Sequence, residues 1–302
     1  MSFCAIVGNS LSAIALIAAS SSSALSQTSS TAALAAEQTS AKTKIPAGYE
    51  LVWSDEFSKA GLVDPDKWRY DVVRNQKGWF NNEKQYYADA RAKNSRVENG
   101  HLIIEAHKED MAGAGLPDWG KQKYSSARLV SKDAGSWTYG FFEIRAKLPC
   151  GVGTWPAIWM LPTDTKVEWP KGGEIDIMEH VGFDPGVVHQ SIHTLAFNFS
   201  NNTQKTTKRT IKDACQVMHK YQLLWTDQFI LTGIDDAPIF LFKKETGNPK
   251  IWPFDRPQSL LLNIAVGGDW GGQKGIQDTA FPAKMEIDYV RVYQRPAASE
   301  KQ

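Results

Sequence analysis

The stretch 172–182, GGEIDIMEHVG, alternates polar and apolar side chains. Alternation with a period of two predicts a half-buried β-strand, with Glu174 and Asp176 on one face and Ile175 and Ile177 in the core. Glu179 lies five residues after Glu174, so an unbroken pleat would turn it into the core, where an unpaired carboxylate is costly. A one-residue bulge at Met178 removes the conflict and returns Glu179 to the carboxylate face.

The same period recurs along the chain. Strands are predicted at 49–57, 101–107, 126–131, 139–149, 151–162, 187–194, 221–226, 229–235, 239–244, 259–266 and 284–294. Asn99-Gly100 marks a hairpin turn. In 139–149, Phe142, Ile144, Ala146 and Leu148 share one face, and Tyr139, Phe141, Glu143 and Arg145 share the other. Trp155 and Trp159 share a face, with Ile158 and Met160 opposite. In the last apolar run, Leu262, Ile264 and Val266 oppose Leu261, Asn263 and Ala265. The polar stretches 113–124 and 198–210 read as loops. Many short strands with turn signals between them predict an all-β sandwich.

The 302 residues suffice for one large domain of this kind. Residues 1–26 have a short apolar core and a small-x-small site at Ala24-Leu25-Ser26, and read as a secretory signal peptide. Residues 27–44 are rich in Ser, Thr and Ala and read as a disordered linker, leaving a domain over 45–297. Secretion to an extracellular or periplasmic space follows, and so does the absence of a membrane anchor once the signal is removed. The formal charge is +1 and no long basic run occurs, so neither nucleic acid nor an anionic membrane is an expected partner. A monomer acting on a neutral polysaccharide is the expectation. Cys150 and Cys215 remain as an even pair after processing; the sequence leaves open whether they bond.

Three carboxylates lining one groove cannot all ionise independently, because like charges raise the pKa of at least one of them. One ionised and one protonated carboxyl is the equipment of a retaining glycosidase. A solvated acidic strand face is the alternative; the bulge and the tryptophans upstream weigh against it. The eleven tryptophans all follow residue 52, and for most of them core packing is the expected role.

The segment GEIDIME (173–179) resembles the active-site strand of glycoside hydrolase family 16 in its longer, bulged form, the form of the laminarinase-like endo-1,3-β-glucanases. WSDEF (53–57), the stretch around GWFNNEKQYY (78–87) and TWPAIWMLP (154–162) extend the resemblance over roughly residues 48–295. It implies a jelly roll of two curved antiparallel sheets with an open concave cleft. It implies Glu174 as nucleophile, Glu179 as general acid/base and Asp176 as the residue that tunes the nucleophile. Asn82, Glu143, Arg145, Trp155, Trp159, Asn263 and Trp270 would bind substrate, and His193 would donate a hydrogen bond to substrate or to the acid/base. No cofactor would take part in catalysis. A structural Ca2+ on the convex face would use Glu56, Gly100 and Asp288. The bulged motif also occurs in agar and carrageenan hydrolases, and non-catalytic β-1,3-glucan-binding relatives typically lack the two glutamates. The Trp-Pro-Ala-Ile-Trp run and the GGDWGG loop favour β-1,3-glucan.

Overall fold

The computed structural model describes residues 43–131 and 135–296. The signal peptide read at 1–26, and the linker as far as residue 42, lie outside the described residues. Thr43, read as linker, is fully buried: its N–H donates to the Asp236 carbonyl (2.9 Å) and its side chain packs on Gly233, so ordered packing starts ahead of the expected boundary.

The described strands are β1 (Glu50–Asp55), β2 (Arg69–Tyr70), β3 (Gln85–Tyr87), β4 (Ser95–Glu98), β5 (His101–Lys108), β6 (Tyr124–Ser126), β7 (Arg128–Val130), β8 (Gly140–Lys147), β9 (Thr154–Pro162), β10 (Glu174–His180), β11 (Val187–His193), β12 (Lys205–Thr210), β13 (His219–Trp225), β14 (Phe229–Ile234), β15 (Ala237–Lys243), β16 (Gln258–Val266) and β17 (Ala283–Gln294). They form two sheets. One runs β15-β14-β13-β8-β17-β5-β6-β3, with β1 on β17 and β4 on β5; the other runs β12-β11-β10-β9-β16-β7-β2. All pairings are antiparallel except β3 with β6. Asn99 and Gly100 both adopt positive φ, which the β4–β5 hairpin requires.

The core lies between the sheets. Ile144, Leu223, Ile287 and Val290 from the larger sheet meet Ile158, Met160, Ile175, Leu262 and Ile264 from the smaller one, all fully buried. Each of these positions alternates with an outward-facing residue, so the core dictates which side chains reach the outer face of the seven-stranded sheet. In β10, Ile177 and Met178 are both fully buried and together oppose the single residue Gln190 of β11. On the β9 side Met178 keeps a partner, Ile158, and Ile177 has none. The expected bulge is therefore present and spans 177–178. It puts Glu174, Asp176 and Glu179 on the face opposite the core.

The stretch 198–210 is only partly a loop. Lys205–Thr210 forms β12, the edge of the seven-stranded sheet. A strand with both faces polar shows no apolar alternation; its lysines and arginine suit an exposed edge that must not recruit another strand. Among the described residues no helix is long and apolar enough to cross a membrane.

Cys150 and Cys215, 65 residues apart, are joined by a disulfide with a Cα–Cα distance of 5.8 Å. Closing a loop of that length restricts the unfolded chain by about 4 kcal/mol. Cys215→Ser is expected to lower the denaturant midpoint, and reducing agent to lower that of the native protein but not of the variant. Equal midpoints for native protein and variant would refute the contribution.

Candidate active site

Strands β9, β10, β16 and β7 place their outward residues around one cleft. It is lined by Glu174 and Glu179, by Trp155, Ala157 and Trp159 of β9, by Asn263 and Ala265 of β16, and by Arg128 of β7; Phe80, Asn81 and Glu83 close its rim. The register explains the convergence: Trp159 stands beside Asp176, Ala157 beside Glu179, and Asn263 beside both Ala157 and Arg128.

The polar contacts concentrate on the carboxylates. Trp155 Nε1–H donates to Glu179 (3.0 Å), and Trp169 Nε1–H donates to Glu174 (2.5 Å). Asp176 is 1% exposed, and His193 Nε2 lies 3.2 Å from its carboxylate. Burial pushes the Glu174 carboxyl up to about 8, reinforced by the charge of Asp176. Burial and the charge of Glu174 push Glu179 up to about 7. Burial, then the charge of Glu179, raises Asp176 well above its ordinary value. One carboxylate oxygen each of Glu174 and Asp176 and a ring nitrogen of His193 lie within 4.8 Å of one another. At neutral pH the trio therefore retains protons that three solvated carboxylates would have lost. That is the state a proton donor beside a nucleophile requires.

The other expected residues divide clearly. Trp159 Nε1–H donates to Asn263 Oδ1 (2.7 Å), and Asn263 Nδ2 reaches the Tyr87 hydroxyl (3.1 Å). Trp270 sits on a short helical turn, Gly268–Gly271, edge-on to Trp155 (5.3 Å between ring centroids) and to His189 (4.9 Å). Asn82 donates to Asp269 at 2.8 Å and ties the rim to that turn. His193, expected to donate to substrate or to the acid/base, meets Asp176 at the nucleophile end of the strand.

Glu143 and Arg145 are not in the cleft. Alternation placed them correctly on the face opposite Phe142 and Ile144, but β8 belongs to the other sheet, so that face is the far side of the sandwich. There Glu143 accepts from Gln222 (2.7 Å) and Tyr289 (2.8 Å), and Arg145 pairs with Asp288 (2.5 Å). The expected calcium ligands are partly committed too. Both Glu56 carboxylate oxygens accept from Arg291, at 3.0 and 2.8 Å, and one Asp288 oxygen is held by Arg145. The second Asp288 oxygen faces His101 Nε2 at 3.8 Å, which leaves the main-chain oxygens of Glu56 and Gly100 against the 6–8 oxygens that calcium takes.

Two other side-chain groups converge closely enough to ligate a metal among the described residues: Glu174, Asp176 and His193, and Cys150, His180 and Cys215. In the second the thiols are consumed by the disulfide.

Arg128, Trp169 and Phe80 are among the cleft residues that were not anticipated. Arg128 lies between Trp79 (5.2 Å) and Trp159 (4.8 Å) and pairs with Asp71 (3.0 Å). Its signal was present, since Leu129 is in the core and Arg128 must face the other way. Trp169, in a segment read only as a turn, is 39% exposed and lies tilted against Phe199, 47% exposed, with 4.9 Å between ring centroids. Phe80, 59% exposed, borders the opposite side under the Arg74 guanidinium. A separate hollow at Trp119 and Lys121 contains Glu109. Burial pushes that carboxyl up, but bonds from Arg91, Lys93 and Ser125 outweigh it and hold it at about 2, so it has no proton to give.

Comparison with known proteins agrees with this geometry. The profile described as Glycosyl hydrolases family 16 matches residues 82–291. The chain is 50% identical over 253 residues to a β-glucanase of Rhodothermus marinus, covering 81% of this chain and 85% of that protein. A crystal structure of SCLam, described as a non-specific endo-β-1,3(4)-glucanase of that family, superposes with a TM-score of 0.81 at 50% identity, covering 84% of this chain and 94% of the other. The laminarinase structure from Rhodothermus marinus gives 0.76 at 49% identity over 82% of this chain and 97% of the other.

The raised carboxyls make stability depend on pH. Between the unfolded value near 4.5 and the folded value of about 8, the folded state holds the Glu174 proton and the unfolded state does not, so stability falls as pH rises. Glu174→Gln removes this share of the dependence and leaves the shares of Asp176 and Glu179. The variant is expected to melt above the native protein at pH 8, with the gap closing towards pH 5; parallel melting curves would contradict it.

Proposed function

Because this chain belongs to glycosyl hydrolase family 16, we propose that it cleaves β-1,3-glucan within the chain, with retention of anomeric configuration. The observation that carries this reading is the bulged strand β10, which presents two glutamates and a buried aspartate to one tryptophan-lined cleft.

Glu174 is the nucleophile. The Trp169 indole donates to it, and it attacks in the ionised form, having given up the proton that burial and the charge of Asp176 hold on it up to about 8. Glu174 attacks the anomeric carbon, and Glu179 protonates the departing glycosidic oxygen. Glu179, now ionised, takes a proton from water as that water displaces Glu174 from the sugar. The Trp155 indole holds the Glu179 carboxyl in place through both steps. Trp159, Asn263 and Arg128 contact sugar on the β9 side, and Trp169 and Phe199 offer stacking faces on the β11 side. Exposed aromatics at both ends suit a chain that passes through, which supports internal cleavage. The Cys150–Cys215 disulfide supports action in an oxidising, extracytoplasmic compartment.

The test is reducing-sugar release from laminarin, barley mixed-linkage glucan, agarose and κ-carrageenan, with Glu174→Gln as blank. Release from laminarin, and at a lower rate from the mixed-linkage polymer, is expected. Release from a galactan alone would overturn the substrate. Binding without release would overturn the reaction.

The pH profile tests the roles. The first step needs Glu179 protonated and Glu174 ionised, so with Glu179 held up to about 7 and Glu174 up to about 8, kcat/KM is expected to peak between those values and fall on either side. With an activated aryl glycoside, whose leaving group needs no proton, Glu179→Gln should retain glycosylation and lose the alkaline limb. An unchanged alkaline limb in the variant would reassign the acid.

A further inference from the structure

The bulge that brings Glu179 into the cleft leaves one residue without a register partner on β9. The residue skipped there is Ile177, fully buried in the core, where an unpaired carbonyl is costly. Its carbonyl accepts a hydrogen bond from the side chain of Gln190 (Nε2 to O, 2.9 Å). Gln190 is the β11 residue opposite the bulge, and it is fully buried. Its other end accepts from the Thr232 hydroxyl (2.8 Å), on β14 of the opposite sheet. A carbonyl oxygen can only accept, so the amide orientation is forced: NH₂ towards Ile177, oxygen towards Thr232. The chain of bonds runs from the catalytic strand through the apolar core to the far sheet.

We infer that Gln190 and Thr232 form a positioning brace for the reaction: they hold the bulge at Ile177–Met178, and through it the placement of Glu179 relative to Glu174. This rests on the reading of Glu179 as the acid/base. Neither residue touches substrate, since both face the core. Isoleucine and methionine would fill the space beneath the strand without them. What they add is a fixed partner for the Ile177 carbonyl. Without it, β10 has two ways to satisfy that carbonyl: draw water into the core, or slip towards regular pairing. A slip by one residue sends Glu179 to the wrong face.

The experiment is a double-mutant cycle on turnover of laminarin, well below the melting temperature of each variant. Gln190→Met keeps the volume and removes both bonds. Thr232→Val removes only the far end and leaves β10 and β11 untouched. Gln190→Met is expected to lower kcat about 10- to 100-fold, the scale of a displacement near 1 Å, with KM within about twofold. Thr232→Val should lower kcat by a smaller factor in the native background and have no effect in the Gln190→Met background. The alkaline limb of the pH profile, which belongs to Glu179, should move in Gln190→Met, and Gln190→Glu should recover kcat at acid pH, where the protonated carboxyl can again donate to the carbonyl.

Variants that melt earlier yet keep native kcat and an unmoved alkaline limb would show that the brace is only structural, and would overturn the inference. So would additive effects of the two substitutions. The native protein and Glu179→Gln serve as controls. If the native protein releases no sugar, the proposed function fails. If it does, and Glu179→Gln does not, only the brace is under test.

Discussion

Glu174 and Glu179 are five residues apart, a spacing that an ordinary pleat assigns to opposite faces. The site depends on how that conflict is resolved. The sandwich core takes the apolar side chains of β10 and is closely packed, so it leaves no room for a carboxylate. The bulge lets two core residues stand in succession and returns Glu179 to the cleft. The site residues on the neighbouring strands follow ordinary alternation: Trp155 and Trp159 are outward because Ile158 and Met160 are inward, and Asn263 because Leu262 and Ile264 are inward.

Gathering three carboxyls on so short a stretch works against folding at neutral and alkaline pH. The raised proton affinities measure that opposition. The remainder of the chain offsets it with a continuous core between two sheets and a disulfide closing a 65-residue loop. The burial that makes the acids costly is also what lets one of them keep a proton near neutrality. Moving the trio to the surface would relieve the fold and remove the chemistry.

The carboxylate strand and its neighbours were legible in the sequence because their periodicity is clean. What alternation cannot state is to which sheet a strand belongs. Glu143 and Arg145 were read on the correct face of β8, but that strand joins the larger sheet, and its outer face looks away from the cleft. Arg128 is the converse: a strand of three residues, Arg128–Val130, is too short for its pattern to stand out, although its one core residue, Leu129, was enough to orient the arginine. The β12 strand was missed because an edge strand has no buried face to write into the sequence. The position of Phe199 is set by a turn between strands, and no periodic rule covers it.

The tryptophans show how one residue type serves two ends, and how the structure tells them apart. Trp68, Trp225 and Trp252 are buried in the core cluster. Trp68 and Trp252 hand their indole N–H to acids at structural corners, Asp55 and Asp255. In the cleft, Trp155, Trp159 and Trp169 point theirs at Glu179, Asn263 and Glu174. An indole N–H is a donor that cannot titrate and cannot rotate away from its ring. Aimed at a carboxylate, it fixes the oxygen that must not wander and leaves the other free to react, while the ring beside it presents an apolar face to the sugar. Stacking and positioning are therefore supplied by the same side chain, so a substitution at any of these three positions disturbs substrate contact and cleft hydrogen bonding together.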